Sequence, residues 1–124
     1  MSANSALRAR LAFNRIDEVT TNLLREHRAF IVAELPGVLD LFYDHVNKFQ
    51  ETAAFFKNRD HMASARHAQL RHWDTILDGR FDETYEASIR RIGETHNRIG
   101  LEPRWYIGGY NSLLTGLLEV IARK

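Results

Sequence analysis

The sequence predicts an all-α fold, and two observations carry that prediction. Apolar residues recur at steps of three and four, the period of one helix face, and no segment alternates with the period of two that a half-buried strand requires. The breaks fall at Pro36-Gly37, Asp78-Gly79 and Gly100 with Pro103, residues that stop or kink helices. At 124 residues the chain is a single domain, spanning residues 1–124 and long enough to bury one core.

Each element follows from its own stripe. Residues 17–35 carry Val19, Leu23, His27, Phe30 and Ile31. Pro36 then suits either the first turn of a new helix or a kink in a continuing one. From 38 to 49 the stripe is Val38, Leu39, Phe42, Val46 and Phe49, and Tyr43 shares that face. Residues 51–59 read as a short irregular connection holding Phe55-Phe56. A helix over 62–77 follows, with Ala65, Ala68, His72 and Ile76 on one face and Leu70, Trp73 and Leu77 beside it. Asp78-Gly79 ends it. Asp82 is an N-cap for the next helix, whose seam is Tyr85, Ile89, Ile92, His96 and Ile99 until Gly100 stops it. The last helix starts near Pro103 and runs Tyr106, Tyr110, Leu113, Leu117, Ile121, broadened by Leu114 and Leu118. That stripe is wide enough to face both a core and a partner.

Composition excludes several classes of function. Seventeen Lys plus Arg against sixteen Asp plus Glu give a net charge of +1, with no basic stripe for nucleic acid. No apolar run approaches the ~20 residues of a membrane span. The N-terminus, Met-Ser-Ala-Asn-Ser-Ala, has no signal-peptide core, which points to the cytoplasm. The chain has no cysteine, so disulfides, thiolate zinc sites and thiol catalysis are excluded.

Histidine is the informative residue type. His27 and His45 have no matching second ligand. His61, His67 and His72 are six and five apart, where two ligands on one helix face need three or four. His96 stands in an otherwise aliphatic seam, between Ile92 and Ile99. It is either a core histidine satisfied by a carbonyl and a hydroxyl, or an axial ligand to haem iron. Tyr43 poses the same choice: a core tyrosine, or a donor aimed at a small ligand in a dry pocket. Ala65 and Ala68 either leave room for such a pocket or let two helices approach closely.

Two longer motifs decide the direction. Thr95-His96-Asn97-Arg98-Ile99-Gly100-Leu101-Glu102-Pro103-Arg104-Trp105-Tyr106-Ile107-Gly108-Gly109-Tyr110 resembles the proximal signature of the globin-coupled sensors. Asp40-Leu41-Phe42-Tyr43-Asp44-His45-Val46 resembles their distal-helix motif, in the right order and at the expected separation. The resemblance covers the chain from Asp17 onward. It implies a globin-like, three-over-three-type helical fold with an extra N-terminal helix (residues 1–16), a globin core over 17–124 and no D helix. It also implies a final H helix, expected to be missing from the core over 17–124, and a fused output domain beyond it.

The resemblance further implies haem b, with His96 as the proximal iron ligand and Tyr106 hydrogen-bonding that histidine. Tyr43 corresponds to the distal donor to bound O2, and Phe42 to the aromatic packed on haem beside it. Ala65 and Ala68 stand where the family often has a bulky or hydroxyl side chain, which leaves Tyr43 as the expected sole donor. The remaining haem contacts are expected from Leu39, Phe55, Ile92, Ile99, Leu101 and Leu113. The expected ligand is O2, or CO or NO. Leu114, Leu117, Leu118 and Ile121 on the last helix are an expected homodimer surface. No catalysis is expected of this domain. Two other readings stay open: a haem-free helical dimerisation module, and a haem-dependent redox enzyme using His67, Gln69 or His72.

Overall fold

A computed structural model describes residues 3–123 of the chain. Among the described residues there are six helices and no strand: α1 (Ala3–Phe13), α2 (Glu18–Asn47), α3 (Gln50–Ala53), α4 (Arg59–Leu77), α5 (Glu83–Arg98) and α6 (Pro103–Ala122). None of them is long and apolar enough to cross a membrane.

α2 is the spine. Asp17 caps its start, its side chain accepting from the Thr20 backbone N–H at 3.0 Å. At Pro36 the helix continues rather than restarting. The proline removes the hydrogen bond to the carbonyl four residues back, that of Val32, which lies on an exposed side of the helix. α2 packs against both α4 and α6, and α5 packs against α4. The core is Leu35, Val38, Leu39 and Tyr43 from α2, Trp73 and Leu77 from α4, and Leu113 and Leu117 from α6. Leu39 is 0% exposed, at the centre of the three helices.

Three details differ from the sequence expectation. In the first half of α2 the stripe is displaced: Val19, Leu23 and His27 are exposed and Leu24 packs inward instead, while Ile31 packs inward as expected. The buried run Leu24, Ile31, Leu35, Val38, Phe42 keeps the helical step, but it is set by Leu35 and Leu39 further along. α4 begins at Arg59, three residues before the expected start, because Asn58 Oδ1 accepts the His61 backbone N–H at 2.8 Å and caps it. The connection before it is not wholly irregular, since Gln50–Ala53 forms one helical turn.

The helix ends follow their glycines. Gly79, with φ of +73°, closes α4 where an added Cβ would meet the Thr21 carbonyl oxygen at 3.0 Å, and Arg25 Nε donates to the Asp78 carbonyl at 2.9 Å. The end of α4 is thus drawn onto the start of α2. Asp82 Oδ1 accepts from the Thr84 and Tyr85 backbone N–H groups and starts α5. Gly100, with φ of +74°, ends it. The Gly100 N–H reaches the Asn97 carbonyl and the Leu101 N–H reaches that of His96 at 2.9 Å, the paired closure of a Schellman motif. Pro103 opens α6 at its first position.

Candidate functional site

The distal candidate is built on the core. Tyr43 is 6% exposed on the inner face of α2, where Leu35 and Leu39 fix its turn. Its ring meets Phe42 edge-on at 4.9 Å and Phe56 at 5.9 Å. Gln69 Nε2, from α4, donates to the Tyr43 hydroxyl oxygen at 3.3 Å. Burial pushes the Tyr43 hydroxyl above its ordinary pKa of 10.0, the Gln69 hydrogen bond and the Arg66 charge offsetting part of that rise. The phenol therefore keeps its proton. Gln69 donates to the oxygen, which leaves the O–H free to donate elsewhere.

The proximal candidate is built on a helix end. His96 lies in the last turn of α5, and the Leu101 N–H bonded to its carbonyl fixes the backbone there. The imidazole stacks on Tyr106 of α6, centroids 5.6 Å apart and planes 17° from parallel. That contact is a stack, and among the described residues no hydrogen bond joins the two side chains or reaches either ring nitrogen of His96. Burial holds the ring's pKa below its ordinary 6.5, so the imidazole is neutral at neutral pH and keeps a lone pair.

The two candidates do not touch; α6 connects them. Its Gly109 brings backbone beside the Phe42 ring, to which an added Cβ would lie 3.5 Å away. Gly109 is one helical turn from Tyr106, so Tyr43, Phe42, Gly109, Tyr106 and His96 form a continuous path. Trp73 of α4 stacks on Tyr110, one residue further along α6.

The remaining expected site residues fall in three groups. Leu39 and Leu113 are in the core beside Tyr43, and Ala65 packs against it. Phe55, Ile92 and Leu101 are half-buried, and Ile99 is exposed. Ala68 is exposed, so the inward position of α4 next to Tyr43 belongs to Gln69 instead. Tyr43 accordingly has a polar neighbour where none was expected. Its aromatic partner from the connection is Phe56 rather than Phe55. Gln69 was detectable, being four residues after Ala65 and four before Trp73, both inward, although an amide does not mark an apolar face. On α6, Leu117 is buried in the core, so it is absent from the outer face that Tyr110, Leu114, Leu118 and Ile121 expose. Two surface hollows, about 390 and 300 Å³, lie against Ala63, Ser64, His67 and Arg71 and against Arg25, Arg28, Ala29 and Val32, away from both candidates. Among the described residues no three His, Asp or Glu side chains converge as a metal cluster.

Residues 3–124 match the protoglobin family. Over 114 residues the chain is 31% identical to the heme-based aerotactic transducer HemAT of Halobacterium salinarum, an alignment covering 91% of this chain and 23% of that relative. The chain thus spans about a quarter of the length of the curated relative it matches. A chain without strands among its described residues and matched over nearly its whole length belongs to the protoglobin family and is a globin-coupled sensor domain.

Proposed function

We propose that this chain is a haem-based gas-sensing domain that takes O2 at a b-type haem held by His96 and signals to an output domain. The observation that carries the proposal is His96: a neutral imidazole with neither nitrogen hydrogen-bonded among the described residues, on an apolar seam and held against α6 by Tyr106. The ring is half-buried and its nitrogens stay accessible, which is the donor chemistry a single axial ligand needs. The residues fit haem in a second respect. α5 has an apolar seam but no buried residue, and Ile89 and Ile99 are 38% and 39% exposed, so the seam offers apolar surface to a large flat group.

Haem, when bound, supplies an iron centre that takes up a diatomic gas reversibly. The protein's own residues do the rest. His96 contributes its lone pair, and Tyr106 limits the rotation of the ring by stacking on it. Tyr43 presents a protonated hydroxyl in a buried setting, where a hydrogen bond to a partly negative ligand is strong. Such a donor favours O2 over CO, which gains little negative charge. Phe42, Leu39, Phe56 and Leu113 keep water from that hydroxyl. α6 touches both sides of the site and presents Tyr110, Leu114, Leu118 and Ile121 outward, a surface suited to a second copy of the chain and to passing on a shift in packing.

The test is the rate of ligand loss from the ferrous haem-loaded protein and its Tyr43→Phe variant. Loss of a hydrogen bond to a charged partner should speed O2 dissociation by about ten- to a hundredfold while CO dissociation changes little. Equal O2 dissociation in the two proteins would contradict the role given to Tyr43. A protein that takes up no haem would leave the helical dimerisation module as the reading.

A further inference from the structure

α5 carries His96, yet none of its residues is buried, and among the described helices it packs in quantity only against α4. Apart from the Tyr106 stack on His96, its side-chain anchors crowd into the first half of the helix. The Phe81 ring meets the Tyr85 ring edge-on at 4.9 Å, and Glu86 pairs with Arg10 of α1 at 3.7 Å. From α4, His72 bonds through Nδ1 to the Ser88 hydroxyl at 2.7 Å, and its ring stacks on Tyr85 at 6.5 Å with planes 11° apart.

These anchors differ in what they specify. An aliphatic seam tolerates a slip, because one Ile can replace another. An exposed ion pair on long side chains tolerates it too. A 2.7 Å hydrogen bond to a serine hydroxyl does not: moving the helix by one residue shifts the side chain about 1.5 Å along the axis and about 100° around it. Tyr85 and Ser88 are three residues apart, so His72 holds one stripe of α5 at two points. Ser88, Ile92 and His96 then follow at steps of four, which carries the setting of Ser88 to His96 about 12 Å along the helix. Burial keeps the His72 ring neutral, and no charged group perturbs it; Tyr85 is the titratable group facing it from α5.

We infer that His72 and Ser88 form a positioning latch that sets the register and rotation of α5 and thereby places His96. The placing of an iron ligand rests on the function proposed above; the setting of α5 does not. His72 is a positioning residue, acting through the helix.

The test uses the full chain with Ser88→Ala, His72→Phe, His72→Asn and the double variant His72→Phe/Ser88→Ala. Asparagine keeps a polar atom near the place of Nδ1, and phenylalanine keeps only the stacking ring. Amide hydrogen exchange without added haem should quicken about fivefold across residues 89–98 in Ser88→Ala and His72→Phe, with α2 and α6 unaltered. The double variant should be no worse than His72→Phe, and His72→Asn should recover part of the protection. In the ferrous haem-loaded protein the iron–histidine stretching band should broaden in the same variants and sharpen in His72→Asn. The latch is overturned by unchanged α5 exchange, by protection lost equally from every helix, or by asparagine performing no better than phenylalanine. Should α5 respond while the wild-type chain binds no haem, the latch stands and the assignment of His96 as iron ligand falls.

Discussion

Tyr43 and His96 are held in opposite ways. Tyr43 sits in a core where Leu35 is 1% exposed and Leu39 is 0%, with aromatic edges and an amide around its own ring. His96 sits near the end of a helix with no buried residue, located by a capping motif, a ring stack and contacts two turns upstream. The difference teaches where this fold spends its rigidity. The phenol is fixed by close packing, which resists small displacements. The imidazole is fixed by a few directional contacts, which a small free energy can rearrange. In the proposed sensor the side that reads the ligand is stiff, and the side tied to α6 can yield.

The largest expected effect would break the comparison outright if it failed. Leu39→Ala should cost roughly 2–5 kcal/mol of unfolding free energy in urea denaturation, whereas Ile89→Ala on α5 should cost under about 1 kcal/mol. Comparable losses would mean that α5 is packed as tightly as the core.

The two left-handed glycines sharpen it next. Gly79→Ala should destabilise by roughly 2 kcal/mol or more, since the new methyl meets both an unfavourable φ and the Thr21 carbonyl oxygen at 3.0 Å. Gly100→Ala, with the same φ but nothing within 4 Å, should cost only about 1 kcal/mol. Its effect should concentrate in the turn holding His96, read as faster exchange of the Leu101 amide. Equal costs at the two glycines would mean that the close approach of α4 to α2 does not constrain the chain.

The smallest effect is a pH dependence. Burial lowers the His72 pKa below its ordinary 6.5, so the unfolded chain binds a proton there more readily than the folded one. The contribution to stability is complete above pH 6.5 and is lost as pH falls from that value through the lower folded pKa. Stability of the wild type should therefore drop on acidification from about pH 7.5 to about pH 5 more than that of His72→Asn. Parallel curves would remove His72 from the account.

The sequence made the helices legible because their ends are chemically marked: Asp17, Asp82, Gly79, Gly100 and Pro103 each do at their position what their side chains or backbones favour. Asn58 carries the same signal, but His61 and Asp60 after it are polar, so an apolar stripe could not reveal the first turn of α4. The inner face of α2 was legible from Val38 to Val46, where Leu39 and Tyr43 leave no alternative. Between 19 and 27 two stripes compete, and only the placement of α4 and α6 selects Leu24 over Val19 and Leu23. His96 was visible because an imidazole among isoleucines is unusual. The Tyr43–Phe56 contact and the His72–Ser88 pair were not, because each acts across elements apart in the chain, and one-dimensional spacing holds no such information. The stack of Tyr106 on His96, where a hydrogen bond was expected, is likewise set by how α5 meets α6.

The most direct test of the central claim is the absorption spectrum of the ferrous protein titrated with haem, wild type beside His96→Gly with and without added imidazole. The account predicts saturable uptake and a five-coordinate histidine-ligated spectrum in the wild type. That spectrum should be lost in His96→Gly and returned by imidazole entering the space the side chain left. A wild-type chain that takes up no haem, or a His96→Gly spectrum indistinguishable from the wild type, would contradict it.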